Sequence, residues 1–309
     1  MNATESLANY GISAHWYRPG IAAQRLLLVF AHPDDESFGN AGTIARYAAS
    51  GTDVYYACAT RGEVGNVASE LLQGQSIAEL RSTELENAVQ LLGLAGLFYL
   101  NHRDSGMAGT ADNQHPDAFV QQPAEFVAHQ IAAIIRTIRP QVVITFNAYG
   151  GYGHPDHIAC HRATKHALRS ANDPNTPLQL APFAPERLYY TTFSPWFLRF
   201  GILLSRISGR DPRQSGDNGD VDALRILEEL TPTTTSIVCD AFLEQKEAAW
   251  ASHRSQFEQS AMARIQRIPR SLRRRFLGVE HFTRVIPPWL PGTPRETDLF
   301  GGITAKEPA

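Results

Sequence analysis

The stretch LLLVFAHPDDESFG, residues 26–39, runs from uninterrupted apolar sequence into His32, Pro33 and three consecutive acids, Asp34, Asp35 and Glu36. An apolar run of this kind, bounded by a turn residue, fits a strand buried on both faces, as in a parallel sheet. Charge at the end of such a strand is costly unless it is solvated, hydrogen-bonded or bound to a cation. In open α/β sheets, ligands lie beyond the carboxyl ends of the strands, where strand order reverses. An acid capping the next helix would contribute about 1 kcal/mol, and a single residue would suffice. Three in a row call for more than a cap.

Outward from this stretch, apolar runs alternate with helix-period segments, the pattern of βαβ units. Strands are expected at Arg25–Ala31, Asp53–Ala59, Leu97–Leu100 and Gln141–Phe146, with helices at Ser37–Ala49, Ser76–Leu92, Pro123–Ile138 and Pro155–Ser170. In the second helix Ile77, Leu80, Leu85, Val89 and Leu92 share a face, with Arg81, Glu84 and Glu86 expected mostly elsewhere. Further strands are expected at Glu186–Phe193 and Ser236–Cys239 and a helix at Ala241–His253, joined by polar connectors at 171–185 and 205–222. The predicted fold is α/β: a Rossmann-like, doubly wound, mostly parallel sheet with helices on both faces and C-terminal elaborations. Residues 1–24 read as an N-terminal extension and 25–309 as a single domain, with core 25–195 and elaboration 196–309.

The chain has 309 residues, 43% of them hydrophobic, enough for a full core. With 28 basic and 31 acidic residues its net charge is −3, which provides no global field for a polyanion, so nucleic acid is not expected as a partner. Cys58, Cys160 and Cys239 are odd in number and far apart, which argues against a disulfide framework or a zinc finger and fits a reducing cytoplasm. Neither a secretory leader nor a membrane span is read, so no membrane partner is expected. The basic run RIQRIPRSLRRRF, residues 264–276, reads as a solvated face ahead of an anion or subunit contact.

A second cluster, NAYGGYGHPDHIACH, residues 147–161, also follows an apolar run, VVITF, and opens a helix. In a strand order of 3-2-1-4, the fourth strand lies beside the first, and both clusters flank the switch point. His32, Asp35 and one or both of His154 and His157 can then converge, offering imidazoles and a carboxylate to a metal with a position left for water. Spacing does not choose between Asp34 and Asp35 as a ligand.

These paired motifs, AHPDDE and HPDH, resemble the LmbE-like or PIG-L family of zinc-dependent N-deacetylases. The resemblance extends to ATRGEVGN (59–66), RDSGMAGT (103–110), GGYGHPDH (150–157) and ETDLFGGI (296–303), with versions most similar to the mycothiol-pathway branch. It implies an enzyme that removes acetyl from a small-molecule N-acetyl amino-sugar glycoside such as GlcNAc-inositol. It implies Zn2+, or Fe2+ in cells, held by His32, Asp35 and His157. Asp34 would be the general base and His154 the acid or oxyanion-stabilising residue, with Asp156 orienting His154 and Tyr152 nearby. Arg81 and Asp104 would bind substrate. Two other substrate-contacting positions depart from the pattern, holding Gly39 and Asn66 in place of Ser and Glu. The amine half of the substrate and the oligomeric state are not implied.

The same residues admit other readings: cleavage of a mycothiol-like S-conjugate, the two-histidine, one-carboxylate site of an Fe(II) oxygenase, or a sugar-binding relative without activity. A dinucleotide site is disfavoured because GxGxxG is absent after the first strand. Among the remaining histidines, His102 and His115 are expected to be exposed or capping, and His161 and His166 to pack or face solvent. His253 and Lys246 can reach the site, but nothing in the sequence requires it.

Overall fold

The computed structural model describes residues 3–303 apart from 217–218, 259–262, 264 and 267. Eight strands form one sheet: β1 (Ser13–Tyr17), β2 (Arg25–Phe30), β3 (Asp53–Thr60), β4 (Gly96–His102), β5 (Val142–Thr145), β6 (Arg187–Thr192), β7 (Thr235–Val238) and β8 (Val279–Ile286). The order is β1-β4-β3-β2-β5-β6-β8-β7, parallel from β4 through β6 and antiparallel where β1 meets β4 and where β8 meets β6 and β7. The four strands expected from the first half therefore lie in the expected 3-2-1-4 order, and the fold is the mostly parallel, doubly wound α/β sheet.

The helices are α1 (Ala3–Ala8), α2 (Asp35–Ala49), α3 (Ser69–Leu72), α4 (Ile77–Leu91), α5 (Ala124–Ile138), the short turn α6 (Gly150–Gly153), α7 (Pro155–Asn172), α8 (Pro195–Ile207), α9 (Ala223–Glu228), α10 (Leu243–Ser252) and α11 (Arg254–Phe257). A further helix covers Arg270–Leu277. Every residue of β2 and β3 is buried, as expected of central parallel strands. Against the sheet pack Leu85, Val89, Ile131, Ile134 and Ile135, each contributing about 1.5–3 kcal/mol by leaving water.

Two strands lie outside the sequence reading. β1 adds to the edge beside β4, and Leu7 and Ile12 before it enter the core. β8 follows the basic segment and inserts between β6 and β7. Of that segment's arginines, Arg270, Arg273 and Arg274 pair with Glu244, Glu247 and Asp240. The expected helix Ala241–His253 is a 3-10 turn at Asp240–Phe242 followed by α10. The three cysteines are buried free thiols. No helix among the described residues is long and apolar enough to cross a membrane.

The C-terminal elements seat directly on α2, the helix that begins at the acid cluster. Glu280 of β8 accepts from the backbone N–H groups of Gly42 (3.0 Å) and Thr43 (2.7 Å), and Lys246 of α10 pairs with it at 2.6 Å. A Cβ on Gly42 would lie 2.8 Å from Cβ of Cys239. Gly→Ala in an unencumbered helix gains about 1 kcal/mol. Here Gly42→Ala is expected to destabilise the protein by about 1–3 kcal/mol through overpacking, read as a lower urea midpoint at unchanged slope.

Candidate active site

β2 and β5 are neighbours, in parallel register from Leu26 opposite Val142 to Leu28 opposite Ile144. Their carboxyl ends deliver the two clusters to one place. His32 follows β2 directly, and Pro155 at the first turn of α7 places His154 as that helix's N-cap. Residues 125 positions apart thus meet: His32 Nδ1 lies 3.1 Å from His157 Nε2.

The hydrogen bonds around these rings define their protons. His157 Nδ1 lies 3.1 Å from the Gly150 carbonyl, which can only accept, so Nε2 presents a lone pair. His32 Nε2 faces Asp156 Oδ2 at 3.2 Å and Asp104 Oδ1 at 3.6 Å, so Nε2 carries a proton and Nδ1 is the atom this ring can turn to a cation. The third donor is Asp35, with Oδ1 3.4 Å from His157 Nε2 and Oδ2 3.7 Å from His32 Nδ1. A cation that takes the place of the proton between His32 Nδ1 and His157 Nε2 would meet three electron-pair donors at one point. Atoms at zinc-ligand distance around one tetrahedral centre lie roughly 3.3–3.5 Å apart, which the three separations bracket. The donor set fits a divalent cation, and the other nitrogen of each ring is anchored as metal-binding imidazoles require.

The electrostatics agree. Burial pushes the Asp35 carboxyl up to about 7 and raises Asp34, although Arg81 draws Asp34 back. Burial pulls His32 down, but Asp104, Asp156 and Asp35 outweigh it and hold the ring well above its ordinary value. His157 is pushed far down by burial and by the neighbouring rings. The raised Asp34 and Asp35 and the raised His32 all draw positive charge to this point, and a bound cation would supply it.

Around this centre a cavity of about 560 Å³ is lined by His32, Asp34, Arg81, Asp104, Tyr152 and His154, among others. Asp34 stands at φ 128° and ψ −26° and makes no side-chain capping bond to α2, so the acids are not helix caps. Its Oδ2 accepts from Arg81 Nη2 at 3.0 Å, while the same guanidinium donates to the carbonyls of Pro33 and Gly62. His154 Nδ1 accepts from the Asp156 backbone N–H at 3.2 Å, which places its proton on Nε2. Burial, together with the His32 charge, pushes the His154 ring down to about 3, so it is neutral near pH 7. Tyr152 stands edge-on to His157.

Several placements differ from the sequence reading. The carboxylate of Asp156 turns to His32 and the Ser105 N–H, and only its backbone meets His154. Asp104 likewise faces His32 while lining the cavity, and His32 holds its carboxyl well below the usual range despite burial. Arg81 and Glu84 are buried, because α4 packs its polar face on the acid loop and on the segment after α10. His102 is buried against Phe119 and bonds Gln130, because Phe119 and α5 fold over it. His115 is part-exposed, His161 packs with Nδ1 on the Phe146 carbonyl, and His166 is exposed.

Sequence reasoning missed the partner of Glu36. That side chain is fully buried and meets His253, equally buried, at 2.6 Å. Ser255 and Gln256, just beyond, line the cavity. No local pattern marks these contacts, which join segments on opposite sides of the chain.

A parallel α/β sheet with imidazoles and carboxylates gathered past its two central strands has the layout of a strand-end catalytic centre. Residues 27–168 match the family model for PIG-L, GlcNAc-PI de-N-acetylase. The 1D-myo-inositol 2-acetamido-2-deoxy-alpha-D-glucopyranoside deacetylase of Thermobifida fusca (strain YX) is 36% identical, over 90% of this chain and 99% of its own. The enzyme of that name from Rhodococcus jostii (strain RHA1) is also 36% identical, over 92% and 99%. The chain belongs to the PIG-L de-N-acetylase family. Among solved structures, N,N'-diacetylchitobiose deacetylase from Pyrococcus horikoshii aligns with a TM-score of 0.57 at 20% identity, covering 91% of this chain and 86% of that one. GalB, the 4-carboxy-2-hydroxymuconate hydratase of Pseudomonas putida KT2440, aligns at 0.57 and 16%, covering 87% and 99%. At such identities the likeness is one of fold, and a fold shared with a hydratase does not choose the reaction.

Proposed function

We propose that the protein is a metal-dependent N-deacetylase that releases acetate from a GlcNAc-type glycoside, GlcNAc-inositol in the first place. The observation that carries this reading is the convergence of lone pairs from His32, Asp35 and His157 beside Asp34, at the wall of a cavity. The near full-length relatives named as deacetylases of an inositol glycoside support the substrate class. They favour this reading over S-conjugate cleavage, and the alternating βα architecture disfavours the oxygenase.

Held by His32, Asp35 and His157, a divalent ion would supply a Lewis acid that polarises a carbonyl and acidifies water at neutral pH. The remaining work falls to side chains. Asp34 reaches the cavity with its carboxylate steered by Arg81 and accepts the proton of the attacking water. His154, neutral with its proton on Nε2, donates a hydrogen bond to the oxyanion that forms on the amide carbon. With Nδ1 of that ring engaged as acceptor of the Asp156 N–H, the proton taken by Asp34 is the one delivered to the amide nitrogen. The amine then leaves with a free electron pair and acetate remains. Asp156 keeps His32 in its tautomer and Tyr152 confines the other side. Asp104 and Arg81 stand at the cavity wall, where they contribute to sugar binding.

The test is acetate release from GlcNAc-inositol and free GlcNAc, and release of the amino-sugar amine from a mycothiol S-conjugate, with zinc, with anaerobic Fe2+ and after chelation. GlcNAc-inositol is expected to be deacetylated fastest, and chelation to suppress the rate by roughly 10²-fold or more until metal is restored. Turnover confined to the S-conjugate would assign the protein to amidase chemistry. No acetate from either acetylated sugar would overturn the reading.

A further inference from the structure

Asp34, at φ 128°, occupies a backbone region that side-chain-bearing residues rarely adopt. Such a conformation persists only when its surroundings over-determine it. Its N–H donates to Glu36 Oε2 at 3.1 Å. Glu36 Oε1 in turn meets His253 Nε2 at 2.6 Å and the hydroxyl of Ser37. Both Glu36 and His253 are wholly shielded from solvent, and they lie 217 positions apart. His253 Nδ1 has no hydrogen-bond partner among the described residues, so the ring's hydrogen bond goes to Glu36, while its face lies by Phe38.

The segment carrying His253 grips the same region at two more points. Trp250 Nε1 donates to the Ser37 carbonyl at 2.7 Å. Ser255 donates through its N–H (2.7 Å) and hydroxyl (2.6 Å) to Glu84 of α4, the helix that also carries Arg81. The loop bearing Asp34 and the helix bearing its guanidinium partner are thus fastened to one short stretch of the C-terminal elaboration.

We propose that His253 is a positioning residue: through Glu36 it holds the Asp34 N–H, keeps that backbone in its strained conformation and so aims the Asp34 carboxylate into the cavity. The hydrogen bond of the His253 side chain goes to Glu36, which neither lines the cavity nor belongs to the convergent donor set, so the effect of the ring is expected to pass through Asp34. Misplacing a catalytic group by about 1 Å can lower a rate roughly 100-fold, the scale expected here. The inference rests on Asp34 acting as the base of the proposed deacetylase.

Two substitutions of similar polarity separate position from mere presence. In His253→Gln the side-chain amide nitrogen reaches the place of Nε2, whereas in His253→Asn it reaches only the place of Nδ1. We expect kcat to fall about 100-fold in His253→Asn but to stay within about fivefold of wild type in His253→Gln, with KM unchanged within about twofold and one metal equivalent retained in both. In an Asp34→Asn background, His253→Asn should leave the residual rate unchanged within about threefold, since no base remains to be aimed. A crystal structure of His253→Asn should show Asp34 released from positive φ. Equal kcat for the two variants, an effect confined to KM, additivity with Asp34→Asn, or an unmoved Asp34 backbone would each overturn the proposal. Should His253→Asn fail to fold, His253→Gln decides alone by keeping or losing its rate. If the wild-type protein releases no acetate, the functional reading fails, while the Asp34 backbone still tests the positioning.

Discussion

Replacing Asp34 by asparagine is expected to lower kcat by roughly 10³-fold while leaving KM within a few-fold and the metal content at one equivalent. Asparagine keeps the shape, retains a side-chain oxygen for the Arg81 guanidinium and tolerates positive φ better than most residues. What it lacks is the ability to take a proton. Nor does it disturb the donor triangle, because the carboxylate in that triangle belongs to Asp35, whose Oδ2 is fixed by the N–H groups of Ala31 and His32 at 3.2 and 2.8 Å. Asp35→Asn should show the opposite signature, losing metal first and activity as a consequence. Metal analysis beside steady-state kinetics for both variants separates the two acids. If Asp34→Asn loses the metal and Asp35→Asn keeps it, their roles are exchanged. If Asp34→Asn turns over within about tenfold of wild type, the base lies elsewhere, and Asp104 at the cavity wall is the next carboxylate in line.

The parts of this arrangement legible in the sequence are those set by local physics. Apolar runs flanked by helix-period segments gave β2 to β5 and their order, and HPDDE and HPDH at strand ends gave the meeting point of His32 and His157. What the sequence did not disclose depends on partners far along the chain. VEHFTRVI lacks the strict two-residue alternation of a half-buried strand, so β8 is recognisable chiefly through its antiparallel neighbours β6 and β7. Glu36 looks like one more acid in a helix's first turn, yet it is buried because a histidine 217 positions away supplies its partner. Arg81 and Glu84 fall on the polar side of a helical wheel, but that side meets charges from other segments and is buried all the same. The pairing of Asp156 with His154 is what the family resemblance of HPDH implies. In space, however, the first turn of α7 turns the backbone N–H of Asp156 toward His154 and its carboxylate toward His32. The choice of reaction is less legible still, since a hydratase shares the fold.

That turn of the Asp156 carboxylate leads to the second large effect. His32 has two faces, Nδ1 toward His157 and Asp35, and Nε2 toward Asp104 and Asp156, and acidic oxygens crowd both. An ion at the Nδ1 face uses Asp156 only as the acceptor of the Nε2 proton, whereas an ion at the Nε2 face would use it as a ligand. His157→Ala distinguishes them directly. It removes a donor from the first arrangement and nothing from the second, so it is expected to lose most bound metal on gel filtration and to lower activity by roughly 10³-fold or more. Asp156→Asn keeps all three Nδ1-face donors and loosens the hold on the His32 ring, so metal affinity should fall by about 10–100-fold without being abolished. Competition against a chelating dye measures both. Affinity untouched in His157→Ala but lost in Asp156→Asn would place the ion on the opposite face of His32. The base would then have to be reassigned as well, because Asp35 would no longer be occupied as a ligand and Asp104 would be.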